Sequence, residues 1–170
     1  MMNNKIQLPD GLGIRLANTS DNAFIEQLFN STRQFLDLAD AETDYLNMVK
    51  SHQLQLQTES YGQQSPDAMT FIIDKQGTSI GRMVLDFGKN IVHIIDIALI
   101  VDARGKGYGK SIIQAVQHIA LKQSLPLGLT VDVRNLKARQ LYASLGFQLA
   151  EAHDIYQFLL WYPTANRIQV

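Results

Sequence analysis

The chain has 170 residues, 46% hydrophobic and 18% charged, enough for one compact domain with a core and too short for two. Its net charge of −1 gives no global attraction to nucleic acid or an anionic membrane, and the absence of cysteine excludes disulfides, thiolate metal sites and a cysteine acyl-enzyme. Met1-Met2-Asn3-Asn4-Lys5 lacks the apolar run of a secretory signal and no segment approaches the roughly 20 apolar residues of a membrane span, so a soluble cytoplasmic protein is expected.

In chain order, a short strand at Ile14–Ala17 leads into Asn18-Thr19-Ser20-Asp21, a cluster of helix N-cap residues. Phe24, Leu28 and Phe35, with the parallel row Ile25, Phe29, Thr32 and Leu36, recur at helical spacing. A second helix is expected from about Glu42 to Thr58, with Tyr45, Val49, His52 and Leu56 near one face, and Glu59–Asp67 reads as a loop around Gly62, Ser65 and Pro66. Met69–Asp74 and Ser79–Phe87 form a hairpin across Lys75-Gln76-Gly77-Thr78. Gly88-Lys89-Asn90 turns the chain into Ile91–Ile100, a run apolar on both faces and so central to a sheet. His93 and Asp96 are its polar interruptions and need a reason.

A glycine-rich loop follows, then a helix marked by Ile112, Val116 and Ile119 that ends near Gln123. Leu127, Leu129, Val131 and Val133 alternate as a strand. Asn135 can cap a last helix with Ala138, Leu141, Tyr142 and Leu145 on its apolar face, and Gly146 is placed to end it. Phe147–Leu149 and Ile155–Tyr162 supply two closing strands. The order is strand, two helices, three strands, helix, strand, helix, two strands, without repeat or linker. A single domain over residues 1–170 is expected.

The loop Arg104-Gly105-Lys106-Gly107-Tyr108-Gly109-Lys110 lies between an apolar strand and an amphipathic helix. Glycines there allow a tight turn that aims backbone N–H groups at one point, and the helix N-terminus adds about half a positive charge, which favours an anion. Arg104, Lys106 and Lys110 make the loop locally basic. A mononucleotide P-loop would need glycine where Arg104 stands, and a dinucleotide fingerprint would need glycine where Lys110 stands. Both nucleotide patterns miss by one residue.

Arg104-x-x-Gly107-x-Gly109 does fit the Arg/Gln-x-x-Gly-x-Gly/Ala signature of the GCN5-related N-acetyltransferase superfamily, and the chain resembles that family again at Asn135-x-x-Ala138-x-x-Leu141-Tyr142-x-x-x-Gly146-Phe147. Val101 departs from it, standing where many members have proline. The resemblance implies an α/β (α+β) fold. It has a mixed, mostly antiparallel central sheet of about seven strands with a parallel splayed pair at the cofactor site, flanked by about four helices. It also implies transfer of the acetyl group of acetyl-CoA directly to a primary amine, with no covalent acyl-enzyme and no metal. Arg104, Gly105, Lys106, Gly107, Tyr108, Gly109 and Lys110 would hold the pyrophosphate. The backbone of Ile97, Ala98 and Leu99 would pair with the pantetheine arm, with Asn135 and Tyr142 on the pantetheine and thioester side.

By the same resemblance Tyr142 is the candidate acid for the departing thiolate, although core packing would also explain an aromatic there. His93 falls where many members carry a general-base glutamate, and an imidazole with an ordinary pKa near 6.5 suits that role. Asp96 is a second candidate base, expected on the opposite face of the strand, and water is a third. His52, His118 and His153 have no metal-pair spacing, and Trp161 and Tyr162 are expected to close the sheet. The acceptor, a small-molecule amine or a protein or peptide amine, is not written in these residues. A homodimer is left open, as is a second reading, an acetyl-CoA-binding regulatory module of the same fold without catalysis.

Overall fold

A computed structural model describes residues 5–31 and 67–163. The expected helix at Glu42–Thr58 and nearly all of the loop after it lie outside the described residues, as do Thr32, Phe35 and Leu36 of the first helical pattern. Eight strands hydrogen-bond into one sheet in the order β1-β2-β3-β4-β5-β6-β8-β7. They are β1 (Ile6–Gln7), β2 (Leu12–Leu16), β3 (Ala68–Lys75), β4 (Thr78–Phe87), β5 (Val92–Leu99), β6 (Leu127–Asp132), β7 (Gln148–Ala152) and β8 (Tyr156–Trp161). Among the described residues the α-helices are α1 (Asn22–Ser31), α2 (Tyr108–Lys122) and α3 (Leu136–Ser144).

The sheet thus holds one strand more than the seven expected. The addition is β1, whose two residues are too few to show any periodicity. It is held by pairing Ile6 with Ile14 and Gln7 with Gly13. Pairing is antiparallel for β1/β2, β2/β3, β6/β8 and β7/β8, and parallel for β5/β6.

Contacts divide the chain into two units. The first comprises Met1–Met83 with Ile97–Arg104. Within it, the predicted cap cluster forms a short 3-10 turn at Thr19–Asp21, where Asn18 N–H donates to Asp21 at 2.8 Å and Ser20 N–H to the Asn18 side chain at 2.9 Å. Arg15 grips Asp21 with two bonds of 2.8 Å, which hold this buried carboxylate's pKa below the ordinary value. Leu28 and Phe29 of α1 are buried with Leu12, Ile14, Ile72 and Ile73 of the strands; each fully buried side chain of this size stabilises by about 1.5–3 kcal/mol. Gln76 and Gly77 take left-handed φ values of 51° and 86°, as a two-residue type I′ hairpin requires. Gly81 is needed for another reason: a Cβ there would stand 2.6 Å from the carbonyl oxygen of Ala98, so a larger residue would push the end of β5 away. Ile100 N–H, donating to Ile80 O at 2.8 Å, holds that approach.

The second unit comprises Val84–Asp96 with Gly105–Val170. Val92, Ile94, Leu127 and Leu129 are buried, as are Ile112 and Val116 of the expected α2 stripe together with Ile113, while the third expected residue, Ile119, is half-buried. The parallel ladder between β5 and β6 is short: Val92 opposes Leu127, His93 opposes Gly128 and Ile94 opposes Leu129, and there the pairing ends. Beyond that point β6 continues to Asp132 in partnership with β8. Two parallel strands that share three rungs and then separate form the start of a split in the sheet.

Candidate functional site

The loop after β5 begins with a 3-10 turn at Val101–Ala103, whose Ala103 is buried as an anchor. Val101 is the first residue of that turn, the position proline favours at the start of helical structure. The departure from the family pattern is therefore one of stiffness, not of shape. Arg104 turns its side chain back, and its Nε donates to Leu99 O at 3.0 Å. One of the three backbone groups expected to meet a pantetheine arm already carries a hydrogen bond from within the chain.

Gly105 and Gly107 have φ of 73° and 83°, the left-handed region that costs a side-chain-bearing residue about 1–2 kcal/mol. Gly107 is the N-cap of α2 and supplies no side-chain oxygen to the first N–H groups of that helix, which have no acceptor inside the helix either. A Cβ on Gly105 or Gly107 would meet nothing within 4 Å, and one on Gly109 would meet only Leu141 Cδ2 at 3.9 Å. Gly109 is the informative one. It has no positive φ and no crowding from the protein, so neither backbone strain nor packing asks for glycine there. What remains is room for something outside the chain to approach the backbone. Arg104, Lys106 and Lys110 are each exposed. A doubly charged diphosphate is the kind of group such a cradle fits.

The chain from β6 into α3 is fixed by polar contacts. Asp132 accepts from the Arg134 N–H at 2.8 Å and pairs with its guanidinium, also at 2.8 Å, which lowers its pKa to about 2. Asn135 caps α3 as expected, its Oδ1 accepting from Ala138 N–H at 3.2 Å. The helix ends as Gly146 predicts: Gly146 has φ 92°, Phe147 N–H donates to Tyr142 O at 3.0 Å and Gly146 N–H to Ala143 O at 3.1 Å. This is a Schellman motif, and its usual apolar contact is present as the rings of Phe147 and Tyr142, 5.7 Å apart. Helix termination therefore also fixes a candidate catalytic side chain. Tyr142 is buried, and burial, with the Asp96 carboxylate adding to it, raises the phenol pKa above 10.

His93 sits on β5 in the last paired stretch before the split. Its ring meets that of Phe158 edge to face at 5.9 Å. Burial lowers its pKa below 6.5, and the nearby Asp86 carboxylate partly opposes that shift. Regular alternation along β5 puts His93 and Asp96 on opposite faces. In keeping with this, His93 senses Asp86 whereas Asp96 is sensed by Tyr142. Sequence reading missed Asp86, Gly128 and Phe158. Phe158 in particular comes from a strand two places away, with no local signal.

Trp161 is buried and pairs with Leu127, closing the sheet as expected, whereas Tyr162 is exposed. His153 lies 3.2 Å from Glu151 and stacks on Tyr156, while His52 is outside the described residues. Among the described residues no three His, Asp or Glu side chains group as a metal site, and no helix is long and apolar enough to cross a membrane.

Residues 32–147 match the profile of the acetyltransferase (GNAT) family. The chain is 28% identical over 148 residues to the uncharacterized N-acetyltransferase YhfO of Bacillus subtilis (strain 168), covering 81% of this chain and 90% of the relative. The fold is similar to that of the PaiA N-acetyltransferase of Thermoplasma acidophilum, solved in complex with coenzyme A, with a TM-score of 0.65 at 16% identity over 89% of this chain and 98% of that one. It is also similar to the ribosomal-protein-S5-alanine acetyltransferase of Vibrio fischeri, with a TM-score of 0.63 at 17% identity over 95% and 97% of the two chains.

Proposed function

Because this chain belongs to the acetyltransferase (GNAT) family, we propose that it transfers the acetyl group of acetyl-CoA directly to a primary amine, without an acyl-enzyme. The main support is the opening of α2, where glycines leave the backbone bare and a Cβ would fill an otherwise open cradle. In this reading the N–H groups of residues 105–110 hold the diphosphate, and Arg104, Lys106 and Lys110 supply the surrounding charge. Ile97, Ala98 and Leu99 offer backbone to the pantetheine arm, as does the side chain of Asn135. Acetyl-CoA supplies an activated thioester carbon. The rest of the chemistry concerns protons, and the chain's own residues handle them.

The attacking amine must be neutral. For an amine of pKa near 10.4, losing the proton at pH 7 costs about 4–5 kcal/mol. His93 accepts that proton, directly or through one water. Its lowered pKa keeps the imidazole neutral, and so able to accept, at pH 7. As the C–N bond forms and the C–S bond breaks, Tyr142 gives its phenol proton to the leaving sulfur, and its raised pKa keeps that proton in place until then. Asp96 is kept as the second candidate base: it lies on the other face of β5 from His93, and its charge falls on Tyr142, where it helps keep the phenol protonated.

The acceptor is proposed as a protein N-terminal amine or a small-molecule amine. The proposal extends to a single N-acetyltransferase domain over residues 1–170, working in the cytoplasm, where a chain without cysteine meets no redox constraint. A free-thiol assay with acetyl-CoA and a panel of peptide N-termini, polyamines and amino acids tests it. Amine-dependent release of coenzyme A is expected for at least one acceptor. Binding of acetyl-CoA with no amine-dependent release across the panel would count against catalysis.

A further inference from the structure

Gly128 is the second residue of β6 and has no positive φ, so its backbone would accept any residue, and within a strand glycine is among the least favourable choices. Its surroundings explain it. A Cβ there would stand 2.8 Å from Ile91 Cδ1, 2.9 Å from Phe158 Cζ and 3.2 Å from Leu160 Cδ2. These neighbours, from β8 and the approach to β5, have closed over the missing side chain. Gly128 is also the residue directly opposite His93 in the parallel ladder, and Phe158 pairs with Thr130, two residues farther along β6. Phe158 therefore leans back along β8 toward Gly128, and its ring meets the imidazole two strands away at 83°.

The structure assigns Phe158 and Gly128 a positioning role for His93: Phe158 crosses β6 in the space that Gly128 leaves open and braces the imidazole edge to face. This rests on the reading of His93 as the base. Proton transfer needs donor and acceptor within about 2.6–3.2 Å and aligned, so an imidazole free to turn about its side-chain bonds would spend much of its time misdirected. An edge-to-face partner narrows those orientations and keeps water from that side of the ring. Among the described residues, the charge that His93 senses is Asp86 on β4, while β6 and β8 present Gly128 and Phe158, which carry none. Loss of the ring should therefore let water in and bring His93 back toward 6.5.

The test follows the His93 ring by NMR titration in the free protein, with the resonance assigned through His93→Gln, alongside kcat and KM. Phe158→Leu is expected to move the His93 midpoint upward and lower kcat about tenfold with the KM for acetyl-CoA unchanged, and Phe158→Tyr should restore both. Gly128→Ala should act like Phe158→Leu by displacing the ring, and adding it to Phe158→Leu should cause little further change, because the two act through one contact. Should Gly128→Ala fail to fold, the Phe158 pair decides. An unchanged His93 titration and unchanged kcat in folded Phe158→Leu would overturn the positioning role while leaving the base assignment standing. Full activity in His93→Gln would remove the base assignment itself, and with it the catalytic meaning of the contact.

Discussion

The loop at residues 104–110 and the strand that carries His93 meet their tasks by different means. In the proposed reading the loop works through what its side chains leave out: Gly105 and Gly107 take a left-handed backbone, Gly109 leaves room beside the first turn of α2, and backbone N–H groups would hold the ligand. Around β5 the proposed functional atoms are side-chain atoms, and neighbours from several elements set their state. Burial and Asp86 set the protonation of His93, while Phe147 and Asp96 act on Tyr142. The loop should therefore fail in binding when it is filled, whereas the strand should fail in turnover with binding intact.

The largest expected effect sharpens the strand side. His93→Gln should lower kcat by about 10²–10⁴-fold while acetyl-CoA affinity holds, measured by steady-state kinetics beside calorimetry. Tyr142→Phe should follow at about 10- to 1000-fold, again without loss of binding, because a thiolate of pKa near 8.5 leaves fairly well unaided. Either variant losing affinity instead of turnover would blur the division.

Gly81→Ala probes a point where backbone placement and packing meet. Its Cβ would lie 2.6 Å from Ala98 O, and forcing the two apart should cost about 1–3 kcal/mol of stability, seen as a lower midpoint in denaturant. A variant as stable as the parent would mean that β5 yields there without strain.

The smallest effect concerns pH. The His93 pKa is lowered in the fold, so the fold favours its neutral form. Its contribution to stability is complete above about pH 6.5 and is lost as pH falls from there through the lowered folded value. Denaturation midpoints between pH 7 and 5 should show that slope, and His93→Gln should flatten it. kcat/KM should fall as pH drops over the same range, since only the neutral imidazole accepts a proton.

What was legible in the sequence divides along the same line. The glycine loop, the Asn18–Asp21 cap, the Gln76-Gly77 hairpin and the Gly146 terminus are local signals, each carried by a few adjacent residues whose backbone needs are known in advance. His93 stands out locally as a polar interruption and Tyr142 as part of a helix face, but their proposed roles come only from family resemblance, and their surroundings are not legible at all. Gly128 reads as a weak strand residue until β6 is seen lying between His93 and Phe158, and Asp86 has no meaning until β4 is placed beside β5. Those facts depend on strand register, which no short window of sequence contains. Strand β1 was missed for a simpler reason: two residues have no period.

The account depends most on the open cradle at Gly109. Calorimetric titration of acetyl-CoA into the native protein and into Gly109→Ala and Gly109→Val tests it directly. The protein itself leaves space for a Cβ at this position, and alanine gains up to about 1 kcal/mol of helix preference, so the alanine variant should fold at least as stably as the parent. Acetyl-CoA should bind the native protein, about tenfold more weakly to the alanine variant and more weakly still to the valine one. No binding to the native chain, or equal binding to all three, would contradict the cradle.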